Sequence, residues 1–394
     1  MTSTKPAVLG GTPAFPDGLP LVRPTIDDPD ALTNDLGSIV SSGLLTNGAT
    51  VRRLEETVGE RLGTEVVAVS SCTAGLMLVY QAIGATGRVV MPSFTFSASA
   101  HAVMWAGGTP DFADVEPSRA TLDLDGLAEL LDGASAVSAT HIYGTPAQVE
   151  ALDALAADAD IPVVYDAAHA LGSARQGTPI GRNGTAEVFS LSPTKVVVAG
   201  EGGLISTTDP DLAAKVRMGR DYGNPGDYDT RFCGLNARMS ELHATVALAS
   251  FAELDRHVAT RSALVDHFEK MVAGVQGLRV IRPADGDTST FKDLTIVVDR
   301  DEFGMTASQL QQALKADGID SRRYYHPPIH RQQAYTGRWA TPRPLPVTDE
   351  LAGSVLSPPL WSHMDEATVG RVADTIARLH SHAGETVAAV GSGA

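Results

Sequence analysis

The chain is poor in cysteine: Cys72 and Cys233 are the whole complement in 394 residues. Two thiols build neither a disulfide framework nor a thiolate metal cluster, so no metal is expected, and a reducing compartment suits them. Positive charge is also scarce. Thirty Lys and Arg stand against 47 Asp and Glu, a formal net charge of −17, which disfavours long-range attraction to nucleic acid or to an anionic membrane. An anionic substrate therefore needs a local basic pocket. Long apolar runs are absent too: none is of bilayer-spanning length, and the opening MTSTKPAVLGGTPAFP has no basic start followed by an apolar signal-peptide core. The expectation is a cytoplasmic protein with neither nucleic acid nor membrane as a partner. What is present, 43% hydrophobic residues with mixed charge, is the composition of a globular protein large enough for a sheet-based domain and a smaller one.

Residues 1–24 are rich in Gly and Pro and read as an extended arm, of a kind that often lies on a partner subunit. Helical spacing follows over Asp30–Val40 and Ala49–Leu62. From residue 65 strand-like and helical segments alternate. Strands are expected at Glu65–Ser70, Arg88–Met91, Pro110–Val115, Ala136–Ile142 and Ile161–Tyr165, with helices at Ala74–Ile83, Ser97–Ala106, Leu124–Leu131 and Ala147–Ala157 between them. That rhythm predicts an α/β fold with a mostly parallel sheet covered on both faces. Glu187–Leu191 and Gly203–Thr207 are strand candidates with only a loop between them, so an antiparallel member is expected there. A helical tract over Ser240–Met271 leads into a smaller α+β domain. The predicted division is an arm (1–24), a large domain (25–255), a small C-terminal domain (256–385) and a frayed tail (386–394).

The residues that carry chemistry fall just beyond the apolar runs. Lys195 closes Phe189-Ser-Leu-Ser-Pro-Thr-Lys195 and is followed by Gly200-Glu-Gly-Gly203, while Asp166 ends Val163-Val-Tyr-Asp166, 29 positions upstream. A lysine amine for a Schiff base and an aspartate against a pyridine nitrogen are what pyridoxal phosphate requires. Asp166 follows residues that want burial, so it needs a cationic partner, or else it caps the next helix. His169, three positions on, is either a group facing the cofactor's phenolic oxygen or a packing histidine. Ser70-Ser-Cys72-Thr73-Ala-Gly lies between a strand and an apolar helix, where free N–H groups and a hydroxyl can hold phosphate; a plain capped turn uses the same residues. Ser190 shares the lysine's loop. Phe96, in Met91-Pro-Ser-Phe-Thr-Phe96, is a ring to cover the cofactor or a core aromatic.

SSCTAG, PSFTFSASAHAV, YDAAHALG, FSLSPTK with GEGG, GLNARMSE (Gly234–Glu241) and RRYYHPPIH (Arg322–His330) stand in this order along the chain. In them the sequence resembles the DegT-type sugar-nucleotide aminotransferases, fold type I of the pyridoxal phosphate enzymes. The resemblance implies Lys195 as Schiff-base lysine, Asp166 as pyridine partner, Phe96 as stacking ring and His169 near the phenolic oxygen. It implies Thr73 and Ser190 as phosphate contacts, with Cys72 in a backbone role. Asn236 matches a residue delivered to the phosphate from the neighbouring subunit, which implies a homodimer with shared sites. Val196 stands where the family commonly has Asn, and Leu235 and Ala237 stand where aromatics are usual. A dehydratase branch has histidine in place of the lysine, so Lys195 argues against it.

The implied reaction moves an amino group from L-glutamate, by way of pyridoxamine phosphate, to a keto-deoxysugar on a nucleoside diphosphate, thymidine diphosphate in particular. Arg322 and Arg323 are candidates for the diphosphate, with a solvated basic pair as the plain alternative. Tyr324, Tyr325 and His330 are candidates for lining the sugar or nucleotide pocket. Three other readings stay open: an aminocyclitol aminotransferase acting on a keto-inositol, a lyase or aldolase of the same fold, and a non-catalytic binding or regulatory protein.

Overall fold

A computed structural model describes residues 5–391. Helix α1 (Pro29–Ser42) starts at Asp28, whose carboxylate accepts the Ala31 N–H at 2.9 Å, and stops at Gly43 with φ +70°. After α2 (Ala49–Leu62) the alternation runs β1 (Glu65–Val69), α3 (Cys72–Ala82), β2 (Arg88–Pro92), α4 (Ser97–Trp105), β3 (Thr109–Ala113), α5 (Leu127–Leu131), β4 (Ala136–Thr140), α6 (Val149–Asp158) and β5 (Val163–Asp166). A two-residue ribbon, β6 (Ala174–Arg175) with β7 (Thr178–Pro179), precedes β8 (Ala186–Ser190), β9 (Gly203–Thr207) and α7 (Pro210–Gly219).

Seven strands form one sheet in the order β1-β9-β8-β5-β4-β2-β3, parallel except at β9, which runs antiparallel to both neighbours. The strands are almost wholly buried because helices cover both faces, and Val163, Val164 and Tyr165 of β5 show the continuous apolar run this demands. Each such side chain contributes about 1.5–3 kcal/mol by leaving water. Register places Thr140, Asp166 and Val188 side by side across β4, β5 and β8, and pairs Gly203 of β9 with both Val69 and Ser190. The carboxyl ends of the parallel strands and their following loops thus share one edge of the sheet, where ligands bind in open α/β folds.

The expected helical tract after Ser240 is two helices, α8 (Glu241–Phe251) and α9 (Leu254–Val272). Helix α9 bridges the two halves: Leu254 and Val258 join the large domain's core, while Leu264, Phe268 and Val272 enter that of the C-terminal half. There β10 (Leu278–Val280), β11 (Ile296–Val298), α10 (Arg300–Phe303), α11 (Ala307–Ala316), α12 (Pro346–Ser354), β12 (Val355–Leu356) and α13 (Glu366–Ser381) build a three-stranded antiparallel sheet with helices packed against it.

The small domain's core places both ends of the described chain. The arm packs on its own chain's small domain: Phe15 and Leu19 are buried in that core, and their N–H groups donate to Asp317 O at 2.9 Å and Gly318 O at 2.7 Å. The stretch assigned to a frayed tail begins instead within α14 (Ala383–Val390). Thr386 is buried, and Val387 and Val390, one turn apart, pack on the same core, which is why this small-residue segment is helical. Residues 392–394 of the expected tail lie outside the described residues.

Candidate active site

The shared sheet edge opens into a cavity of about 350 Å³. Asp166, at the end of β5, is 4% exposed and forms its floor. Its Oδ2 accepts from Ser99 Oγ at 2.5 Å and its Oδ1 from the Ala168 N–H at 3.1 Å. Behind Ser99 stand Thr95, with its Oγ1 at 3.2 Å, and Thr140, whose Oγ1 donates to Thr95 at 3.2 Å. One hydroxyl and one backbone N–H therefore hold the carboxylate in place, no cation among the described residues is bonded to it, and its remaining capacity faces the cavity.

His169 is buried, and its Nδ1 accepts the Tyr143 N–H at 3.1 Å. That bond assigns the proton of the neutral ring to Nε2. Burial, reinforced by Lys195 and Lys292, pushes the imidazole well below its ordinary range, so the ring is neutral and an N–H donor. Tyr143 holds this arrangement from a left-handed conformation (φ +57°), the kind of backbone strain that clusters at functional sites.

Lys195 follows β8 on a turn closed by its own N–H donating to Ser192 O at 3.0 Å. Protein surrounds the amine except where the cavity reaches it, and this burial, with the ammonium of Lys292 as the next cause, lowers its pKa to about 8. At the N-terminus of α3, Ser71 accepts the Ala74 N–H at 3.1 Å, and the first-turn N–H groups of Cys72 and Thr73 have no intrahelical acceptor. A Cβ on Gly203 would stand 2.6 Å from Cys72 N, so glycine is what lets β9 start against this turn. Burial and the Asp166 carboxylate raise the Cys72 thiol well above its usual value, which keeps it protonated beside the cavity. Ser190 lines the same side, and Phe96, 57% exposed, covers the mouth with Tyr325 at 6.1 Å between ring centroids.

Of the residues expected in the site, the cavity gathers Lys195, Asp166, His169, Phe96, Cys72, Thr73, Ser190, Tyr324 and Tyr325. Arg322 and Arg323 do not line it. They border an adjoining groove with Phe96, Tyr324 and Tyr325. There Arg322 pairs with Asp320 at 2.6 Å, and Arg323 donates to the carbonyls of Ala352 and Gly353 at 3.0 and 3.1 Å. His330 is a correction: its side chain, 6% exposed, is bonded to Ser93 Oγ at 2.7 Å and pairs with Asp349 at 3.1 Å. It braces its loop against the end of β2 and lines neither the cavity nor the adjoining groove. Asn236 is exposed and off its own chain's cavity.

The cavity also contains residues the motifs did not single out: Thr95, Thr140, Glu201 and, above all, Lys292. The segment Thr288–Asp293 is buckled to the large domain by Thr288 bridging Ala174, Thr290 Oγ1 donating to His169 O at 2.5 Å, and the Lys292 N–H donating to Tyr143 O at 2.9 Å. The signal was present in FKDLTI, where a Lys-Asp pair interrupts an apolar run that reads as a buried strand.

A model of the DegT/DnrJ/EryC1/StrS aminotransferase family matches residues 27–377. The chain belongs to this family. A curated relative, the UDP-N-acetyl-3-dehydro-alpha-D-glucosamine 3-aminotransferase of Acidithiobacillus ferrooxidans, is 31% identical over 357 residues, covering 89% of this chain and 94% of the relative. Among solved structures, DesI in the presence of its TDP-sugar product is 34% identical with a TM-score of 0.92, covering 98% of both chains. Streptomyces venezuelae DesV in complex with a ketimine intermediate is 29% identical with a TM-score of 0.83, covering 91% of this chain and 99% of that one. The fold is that of the fold type I pyridoxal phosphate enzymes, and the protein is a pyridoxal-phosphate-dependent transaminase. The residues present fit the cofactor: an amine with no ion pair among the described residues, an open carboxylate on the floor, a neutral imidazole N–H in the same lining and a helix N-terminus for the phosphate. Among the described residues no helix is long and apolar enough to cross a membrane, and no group of His, Cys, Asp and Glu has the arrangement of a metal site.

Proposed function

We propose that the protein moves an amino group from L-glutamate to a keto-deoxysugar carried on thymidine diphosphate, making an amino-deoxysugar. The observation that carries this reading is the groove bordered by Arg322, Arg323 and Tyr325, which leads away from the cavity at Phe96. It gives an elongated substrate a path with its reacting carbon at Lys195 and its charged, planar half outside. The thymidine nucleotide follows DesI, which covers nearly the whole chain in common with it.

The cofactor, when bound, supplies an electron-accepting ring that stabilises negative charge on the amino-bearing carbon. In this reading Lys195 would hold it through its Nζ, and the same amine, when free, would serve as the general acid and base that moves a proton at Nζ. The lowered pKa of about 8 suits that role, because both protonation states are populated near neutral pH. Asp166, oriented by Ser99 and the Ala168 N–H, would hold the ring nitrogen's proton, and His169, whose Nδ1 is taken by the Tyr143 N–H, would offer its Nε2–H to the phenolic oxygen. Thr73, Ser190 and the N–H groups of Cys72 and Thr73 take the phosphate. Asn236, exposed beyond its own cavity, serves the site of a second subunit, so the working unit is a homodimer.

The test is the absorption spectrum of the purified protein. L-Glutamate should bleach the visible cofactor band and a thymidine diphosphate keto-sugar should restore it. A band indifferent to every amino donor would overturn the reading.

A further inference from the structure

Apart from Lys195, Lys292 is the sole cation lining the cavity among the described residues. Its side chain is 4% exposed, its Nζ lies 2.8 Å from Asp293 Oδ1, and the face of Tyr324 stands 4.9 Å away. A buried ammonium has three protons to satisfy, and desolvating it is costly unless each finds an acceptor. Asp293 takes one and the ring offers its π face. No further acceptor touches the amine among the described residues. Asp293 is equally incomplete: its Oδ2 is buried and has no partner. A pair retained only for packing would close its own hydrogen bonds, whereas this one is held on one side and open on the other. The backbone fixes where it opens. Lys292 N is bonded to Tyr143 O, and Tyr143 N to His169, so the lysine shares a frame with a ring that lines the same cavity as Lys195.

We propose that Lys292, aimed by Asp293, is the anion anchor of the catalytic cavity and binds the α-carboxylate of the amino donor. The inference rests on the transaminase reading. Any α-amino acid donor must bring its α-carbon to Lys195, which puts its carboxylate inside the cavity. Arg322 and Arg323 lie in the outer groove, and Lys195 is committed to the chemistry. Lys292 is left. A cation at this place also lowers the pKa of Lys195, so carboxylate binding would raise the basicity of the amine that must move the proton.

The two half-reactions separate this role from a contact with the acceptor's diphosphate. In stopped-flow measurements on the holoenzyme, Lys292→Met should slow cofactor bleaching at low L-glutamate about 10- to 100-fold. Return of the band with the keto-sugar nucleotide, followed at a pH above the Lys195 midpoint of each protein so that the shift in that midpoint drops out, should stay within about 3-fold of wild type. The Kd for glutarate, an unreactive dicarboxylate read by calorimetry, should rise by a similar 10- to 100-fold factor. Lys292→Arg should recover part of both losses. Slowing confined to the keto-sugar half-reaction, or unchanged glutarate binding in a variant of wild-type melting temperature, would overturn the proposal. If Lys292→Met does not fold, Asp293→Asn takes its place with the same two readouts. A wild-type protein that no amino donor bleaches would instead sink the transaminase reading itself.

Discussion

The cavity has two walls of different origin. The large-domain wall, with Asp166, His169, Lys195 and the first turn of α3, is built from loops that follow strands, each fixed by sheet register. The other wall, with Lys292, Tyr324 and Tyr325, comes from the chain flanking β11 and from the loop before α12, and it is fastened across the domain junction by backbone bonds and the Thr290 hydroxyl. Groups held by register can be placed to the tolerance that bond-making needs, and groups on a second domain can approach and retreat with substrate. The comparison assigns chemistry to the first wall and recognition to the second. It breaks if substitutions on the two walls have the same kinetic signature.

The largest effect belongs to Lys195. Lys195→Ala should lower kcat by at least about 10⁴-fold while the far-ultraviolet spectrum and melting temperature stay close to wild type, because the cut removes a base from a cavity and not a packed side chain. Appreciable turnover in that variant would remove the large-domain wall from the chemistry. Asp166→Asn comes next: cofactor is retained and kcat falls about 10²- to 10³-fold, since an amide no longer holds the ring nitrogen's proton. Ser99→Ala sharpens the point at smaller scale. It frees Asp166 Oδ2 of its 2.5 Å donor, and an expected loss of about 3- to 10-fold in kcat with unchanged KM would mark Ser99 as a positioning residue.

The pH dependence of Lys195 tests the coupling between the walls. Burial and Lys292 both favour the neutral amine, so trace acetylation of Lys195 in cofactor-free protein should rise with pH and level off above about 8. Lys292→Met removes a like charge and leaves Asp293, which pulls the other way; the midpoint should therefore move up and labelling at pH 7 should fall. A midpoint that stays put would mean that the two ammonium groups do not sense each other.

The same contrast explains what was legible in the amino-acid order. Parallel strands buried on both faces announce themselves as apolar runs, and a polar residue at the end of such a run, as at Asp166, or in the short loop after it, as at Lys195, points to the carboxyl edge of the sheet. Lys292 was missed because its segment has no such frame: residues 288–293 take their place from bonds to Ala174, His169 and Tyr143, more than a hundred positions away. The packing of the arm and of α14 was not legible for a related reason. Gly, Pro and small residues signal irregular backbone, but Phe15, Leu19, Val387 and Val390 become ordered through a core assembled from distant helices. Ser99 sat in a resembling motif, yet only the tertiary fold brings its hydroxyl to Asp166.

His330 gives the smallest effect on the site and the sharpest discrimination between being near it and taking part in it. The RRYYHPPIH motif contains side chains of three kinds: Tyr324 and Tyr325 in the cavity, Arg322 and Arg323 along the groove, and His330 beneath the loop between Ser93 and Asp349. Burial holds the His330 imidazole below its ordinary pKa, and its hydrogen bonds are complete within the protein, so it has no proton or lone pair to offer a substrate. His330→Ala should thus lower stability by about 1 kcal/mol through the loss of its two side-chain bonds, Asp349 keeping Arg331 and Ser93 Oγ keeping the residue-330 N–H. In the folded fraction, kcat and the KM for L-glutamate should stay within about 2-fold of wild type, a change of less than half a kcal/mol. Arg322→Ala, in the groove, should do the reverse and raise the KM for the keto-sugar nucleotide about 3- to 10-fold at unchanged melting temperature. If His330→Ala instead cuts kcat with no loss of stability, the loop beneath the second wall belongs to the chemistry, and the division between the two walls fails.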